Sequence, residues 1–275
     1  VYTDKLDGTV PYRERLAPAL LHLIGGGPYL TVGGQRREVP EGSKQLLVLV
    51  ALRRRRIERR WAAGTLWPFV DEERAAGNLR SALWRLRRAR IDVLVGDRWS
   101  LALSTDVLVD LHLMDECASR LIEGKAEDGD LAISASWTEA LDFLPGWYDD
   151  WALIERERIR QRLLHALEAL SEKLVSMGRF ADAVEAAILA VSAEPLRESA
   201  QRALIAAHIA EGNLAEARRS YRSYCDLLRQ ELGVAPSGDL LAVLRDSSAR
   251  RPLAGPSIAL TQDADCSLNA RRRLA

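Results

Sequence analysis

The feature that most limits how this chain can fold is an internal echo in its second half. Gly178-Arg179-Phe180-Ala181-Asp182-Ala183 returns 34 residues later as Gly212-Asn213-Leu214-Ala215-Glu216-Ala217. At the same offset Ala166 pairs with Ala200, Ala169 with Ala203, and Leu170 with Leu204. Small residues at fixed places let two helices approach closely, and a glycine between them permits a tight turn. Pro195 follows the first unit and cannot continue a helix. A single unit of this size cannot bury its apolar stripe alone and must stack on its copy. The second half is therefore expected to be layered helical hairpins.

A period of 34 with small residues at set positions is that of tetratricopeptide repeats, here over about two units. The helical pattern runs from 107 to about 245. The formal net charge of zero hides an asymmetry. Residues 1–100 hold 19 Lys/Arg against 11 Asp/Glu, a net of +8, whereas residues 101–245 hold 15 against 25, a net of −10. A basic part joined to an acidic part suggests that one half faces nucleic acid and the other does something else. No apolar run is long enough to span a membrane, and no basic segment leads into an apolar stretch as in a signal peptide. Cys117, Cys225 and Cys266 are far apart, which argues against a disulfide framework and a cysteine zinc site. The chain reads as a cytoplasmic protein with no membrane contact.

The first half has a different texture. Residues 1–18 show no period and read as a leader. Short apolar runs punctuated by Gly25-Gly26-Gly27 and Gly33-Gly34 then predict a small antiparallel sheet up to Val39. Ser43 is expected to cap a helix over 44–54 that buries Leu46, Leu47, Leu49, Val50 and Leu52. A short helix at 61–67 stops at Pro68, and a longer one covers 72–90. Residues 91–95 and 99–103 read as strands around Gly96-Asp97.

The helix 72–90 carries the chemistry. At about 100° per residue, Ala75, Leu79, Leu83 and Leu86 form an apolar stripe. The other face gathers Arg74, Asn78, Ser81, Trp84, Arg85 and Arg88, and from 74 to 90 there are six Arg and no acidic residue. Arg can chelate guanine, Asn can pair with adenine, and Ser can reach bases or phosphates, so this face suits a major groove. The alternative is a charged surface helix. Arg98, at the tip of the 91–103 hairpin, is either a phosphate contact or an ordinary exposed side chain. The cluster Arg53–Arg60 is either a phosphate contact or, for most of its side chains, a solvated loop. Catalytic and metal patterns are missing. The four His are scattered without ligand spacing, Gly25-Gly26-Gly27 is followed by Pro28 rather than a Lys-Ser/Thr pair, and neither GxSxG nor HExxH occurs. The reading is a protein with no enzymatic activity, cofactor or metal.

Residues 19–103 resemble a response-regulator-type winged helix. Leu66-Trp67-Pro68 and the run Asn78 to Arg88 are similar to the DNA-binding part of the antibiotic regulatory protein (SARP) activators. Leu144-Pro145-Gly146-Trp147-Tyr148-Asp149-Asp150-Trp151, Glu155-Arg156-Glu157-Arg158, Met177-Gly178-Arg179-Phe180 and Glu231-Leu232-Gly233-Val234-Ala235-Pro236 resemble the bacterial transcriptional activator domain that follows in that family. The resemblance implies a mainly α protein with a small β component: leader 1–18, winged helix-turn-helix 19–105, tetratricopeptide-like helical domain 106–245, and disordered tail 246–275. The winged-helix fragment is expected to fold by itself. The family implies a sequence-specific activator that binds promoter direct repeats as a homodimer. Its helical domain contacts RNA polymerase and its sigma factor. Carried over, the contacts to double-stranded DNA fall on Arg74, Asn78, Arg80, Ser81, Trp84, Arg85, Arg87 and Arg88, with Arg98 in the wing. Two other readings are a tetratricopeptide-type interaction scaffold and a ligand-sensing repressor. The acid-free face of 74–90 weighs against the scaffold.

Overall fold

A computed structural model describes residues 19–249. The expected leader and residues 250–275 of the expected tail lie outside the described residues. The chain opens with a meander of β1 (Ala19–His22), β2 (Tyr29–Val32) and β3 (Gln35–Glu38), in which Leu20 faces Thr31 and Leu30 faces Arg37. Helix α1 (Glu41–Arg53) follows, then the two-residue strand β4 (Ile57–Glu58), α2 (Arg59–Leu66) and α3 (Glu72–Arg88). A hairpin of β5 (Leu94–Gly96) and β6 (Ser100–Leu103) pairs with β4 in the order β4-β6-β5. Three helices, a small sheet and a terminal hairpin make a winged helix-turn-helix.

Helix α1 is the pillar of this half. Leu46 through Leu52 are all buried, not one face alone, because α2, α3 and β6 all pack on it. A helix that is apolar all round is stable only when enclosed. Its first residue is Glu41, so Ser43 lies inside the first turn and is not the cap. The Ser43 hydroxyl donates to the Ala82 carbonyl on α3 at 2.8 Å.

The helical pattern expected from 107 onward is interrupted at its start. Val107–Val109 form β7, which pairs in parallel with β1, giving the order β3-β2-β1-β7. Leu21 and Val109, paired across it, are both buried, and this pairing ties the first sheet to the helices beyond. Those are α4 (Asp110–Ile122), a 3-10 turn (Asp128–Leu131), α5 (Ala135–Leu141), α6 (Asp150–Ser176), α7 (Phe180–Ala193), α8 (Glu198–Glu211), α9 (Leu214–Leu232) and α10 (Gly238–Ala249). The last of these continues into residues 246–249, the beginning of the expected disordered tail.

The repeat is built as its spacing requires. Gly178 and Gly212 take positive φ of 74° and 89° at the turns between α6 and α7 and between α8 and α9, a region open to glycine at little cost. Ala166 and Ala200 are fully buried, as are Ala183 and Ala217. One continuous core runs from Leu21 in β1 to Ala207 in α8. The Leu144-Pro145-Gly146-Trp147 motif is held by Arg156 of α6. Its guanidinium donates to the carbonyls of Phe143 (2.8 Å), Leu144 and Trp147 (2.8 Å), satisfying a turn that would otherwise leave buried acceptors unpaired.

Candidate nucleic-acid interface

The helix α3 is well founded at its N-terminus. Asp71 caps it, accepting from the Arg74 backbone N–H at 2.8 Å, and Glu72 and Glu73 sit in the first turn, where the helix dipole favours negative charge. Ala75, Leu79, Ala82 and Leu86 are buried against α1 and α2. With Leu79 at zero on the wheel, the outward arc from Arg87 through Arg80, Trp84, Arg88, Ser81 and Arg74 to Asn78 spans roughly 80° to 260°, and the exposed Glu73 of the first turn falls on it near 120°. Arg74, Arg80, Ser81, Trp84, Arg87 and Arg88 are exposed, and Asn78 is half-buried at the edge of the arc. Among the described residues, no carboxylate pairs with the side chains of Arg74, Arg80, Arg87 or Arg88.

Arg85, expected among the reading residues, is engaged elsewhere. It is half-buried, and one terminal nitrogen donates to the Gly42 carbonyl of α1 at 3.1 Å, while its Nε is buried without a partner. Gly42 makes room for this group, since a Cβ there would lie 2.9 Å from the same nitrogen. With the bond from Ser43 to Ala82, this fixes the outward face of α3 relative to α1. The sequence carries only a faint trace of the arrangement, a glycine in the first turn of a helix where Ala would be the better helix former.

The wing is rigid for a polar hairpin. The Asp97 carboxylate accepts from the backbone N–H groups of Trp99 (2.7 Å) and Ser100 (2.9 Å) and from Arg56 (3.1 Å). Those bonds, from Trp99 first, hold Asp97 below its ordinary pKa. Arg98 and Trp99 project from the tip, with the guanidinium 4.7 Å from the ring centroid. Between the wing, α2 and α3 lies an open hollow of about 1190 Å3, lined in part by Arg59, Arg60, Arg80, Arg98, Trp67 and Trp99. Arg80 of the helix and Arg98 of the wing thus share one basic concavity.

In the Arg53–Arg60 cluster most side chains are exposed, as in a solvated segment, but all except Arg55 also pair within the protein. Arg53 pairs with Glu155 of α6 at 3.6 Å, and Arg54 with Asp115 of α4 at 3.1 Å. Arg56 and Arg59 brace the Asp97 turn, and Arg60 pairs with Glu72 at 2.7 Å. Basic winged helix and acidic helical region meet through Arg53 and Arg54, beside His112, whose Nε2 bonds the Ala51 carbonyl at 2.9 Å. Burial, then the neighbouring Arg54, pushes the His112 pKa down. Burial, then Asp130, pushes the Cys117 thiol up to about 12, so it is protonated near neutrality. No group of three His, Cys, Asp or Glu among the described residues converges as a metal site, and no described helix is long and apolar enough to cross a membrane.

Residues 110–246 match the bacterial transcriptional activator domain. The chain is 29% identical over 236 residues to the regulatory protein AfsR of Streptomyces griseus, an alignment that covers 78% of this chain and 24% of that protein. The chain thus spans about a quarter of the length of that curated relative. The fold is similar to that of EmbR of Mycobacterium tuberculosis, solved in complex with a low-affinity phosphopeptide, with a TM-score of 0.63 at 19% identity over 86% of this chain and 66% of that one. A winged helix placed ahead of a bacterial transcriptional activator domain, in a chain similar to a regulatory protein, supports a transcription regulator of the SARP type.

Proposed function

We propose that this transcription regulator is a sequence-specific DNA-binding activator that acts in the cytoplasm without catalysing a reaction. The observation that carries this reading is the outward face of α3, four unpaired arginines interleaved with Ser81, Trp84 and Asn78. From Arg74 onward this face carries arginines and no carboxylate, the exposed Glu73 lying in the turn before it, and such a face matches the anionic, acceptor-rich major groove. In this reading Arg74, Asn78, Ser81, Trp84 and Arg88 address base edges. Arg80, Arg87 and Arg98 hold phosphates, and Arg85 positions the helix. Residues 19–105 supply most of the DNA-binding unit and 106–245 the activator unit. Two copies bind direct repeats at a promoter, and the helical repeats contact RNA polymerase and its sigma factor.

The test is a footprint on the DNA flanking the protein's own gene, followed by transcription in vitro from the protected promoter. Protection of spaced direct repeats, with more transcript when the protein is added, supports the reading. Uniform protection or none contradicts it, and protection with less transcript assigns repression.

A further inference from the structure

Trp84 and Arg88 stand one turn apart at the middle of the outward arc of α3. Trp84 is 57% exposed, an unusual place for a large ring. The Arg88 guanidinium lies over it, 5.2 Å from the ring centroid. Stacking of this kind uses the flat face of the guanidinium and leaves its in-plane N–H donors free. Another pair in this protein adds a carboxylate to the same contact. Arg53 stacks on Trp61 at 4.8 Å while its Nη2 reaches the Glu155 carboxylate. The Arg88 guanidinium likewise lies over an indole, but it has no hydrogen-bond acceptor among the described residues. Its donors are thus open to solvent or to an acceptor on a partner molecule.

Resting on the reading of α3 as the DNA-facing helix, we propose that Trp84 and Arg88 together read one two-base-pair step, a thymine beside a guanine. The free fork of Arg88 matches the O6 and N7 acceptors of guanine, and the apolar feature that the major groove offers an indole is the thymine C5 methyl. Two stacked groups address neighbouring base pairs, which are about 3.4 Å apart along each strand. The stack holds the Arg88 side chain in place before binding, so less conformational freedom is lost when it meets the base. Arg85, by contrast, has one terminal nitrogen bonded to the Gly42 carbonyl.

The experiment selects binding sites for the full chain from a random duplex pool. It then replaces the selected thymine by deoxyuridine, which removes the methyl group alone. A thymine next to a guanine should be enriched, and the uracil duplex should bind the wild-type protein about threefold or more weakly, a loss in keeping with one apolar base contact. Trp84→Ala should bind both duplexes equally, and Arg88→Ala should lose preference for the guanine by about 5- to 100-fold, with circular dichroism unchanged. Equal binding of thymine and uracil duplexes by the wild-type protein overturns the proposal, without needing a variant to fold. So does a Trp84→Ala protein that still tells them apart. If no duplex is enriched at all, the DNA-reading assignment of α3 fails and takes this inference with it.

Discussion

Arg85 and Arg88 differ by three positions and have the same side chain, yet their surroundings give them different work. One guanidinium is bonded into the α1–α3 contact, and the other is open to solvent. Arg85→Ala is expected to lower the stability of the winged helix by about 1 kcal/mol, the loss of one charged hydrogen bond partly relieved by removal of an unpaired buried Nε. A chemical denaturation midpoint measures this. An unchanged midpoint together with a changed base preference would mean that Arg85 leaves Gly42 for the DNA. Asp130 gives a second test at this scale. Its buried carboxylate takes two bonds from Arg120, at 2.7 and 2.6 Å, and one from the Glu127 N–H. The bonds from Arg120, first among the causes, hold its pKa well below the carboxylate range. A carboxylate with a depressed folded pKa contributes stability above its unfolded pKa of about 3.9 and loses it as pH falls through the folded value. Asp130→Asn should therefore be less stable than wild type at pH 7, with the gap in thermal midpoint narrowing below about pH 4. A gap that stays constant down to pH 2.5 would assign the loss to geometry instead of charge.

At the scale of elements, the helical hairpins were legible because their signal is local. Gly178, Gly212 and the alanines before and after them report a tight turn and close packing within one 34-residue window. Replacing Ala183 or Ala217 by Leu should overpack a fully buried crossing and cost roughly 1–3 kcal/mol. Thermal unfolding of either variant at the wild-type temperature would contradict the packing. The face of α3 was readable for the same reason, since its stripe and its arginines alternate within one helix. What escaped depends on distant partners. The strand β7 is three residues long, and nothing in Val107-Leu108-Val109 announces that it pairs with Ala19–Leu21. Ser43 looked like a helix cap because a hydroxyl before an apolar run usually is one. Its true acceptor, Ala82, is 39 residues away. The carboxylates that engage Arg53 and Arg54 lie on α4 and α6, so charge composition showed a basic half and an acidic half but not that they meet.

At the scale of the whole molecule, that meeting makes the two halves one body. The sheet of the first half closes with β7, the core is continuous, and Arg162 of α6 joins Arg54 on Asp115 at 2.5 Å. The fragment 19–105, expected to fold by itself, ends before the strand that pairs in parallel with β1. That fragment lacks β7, which pairs with Leu21, and the α4 surface beside β1, and it should unfold at lower denaturant than a fragment extended to residue 124. Equal midpoints would show that the winged helix is autonomous after all. The body leaves α3 and the wing uncovered, so no rearrangement of the described residues is needed before they meet a duplex. That α3 reads base sequence is tested most directly by titrating the full chain against its selected duplex and a scrambled one across a salt series. The selected site should bind about a thousandfold more tightly than the scrambled site. Both affinities should fall roughly tenfold or more between 50 and 200 mM salt. Replacing Arg74, Arg80, Arg87 and Arg88 by Gln should abolish the difference between the two duplexes while leaving the fold intact. Equal affinity of the wild-type chain for both duplexes, or the same discrimination in the four-Gln variant, would contradict it.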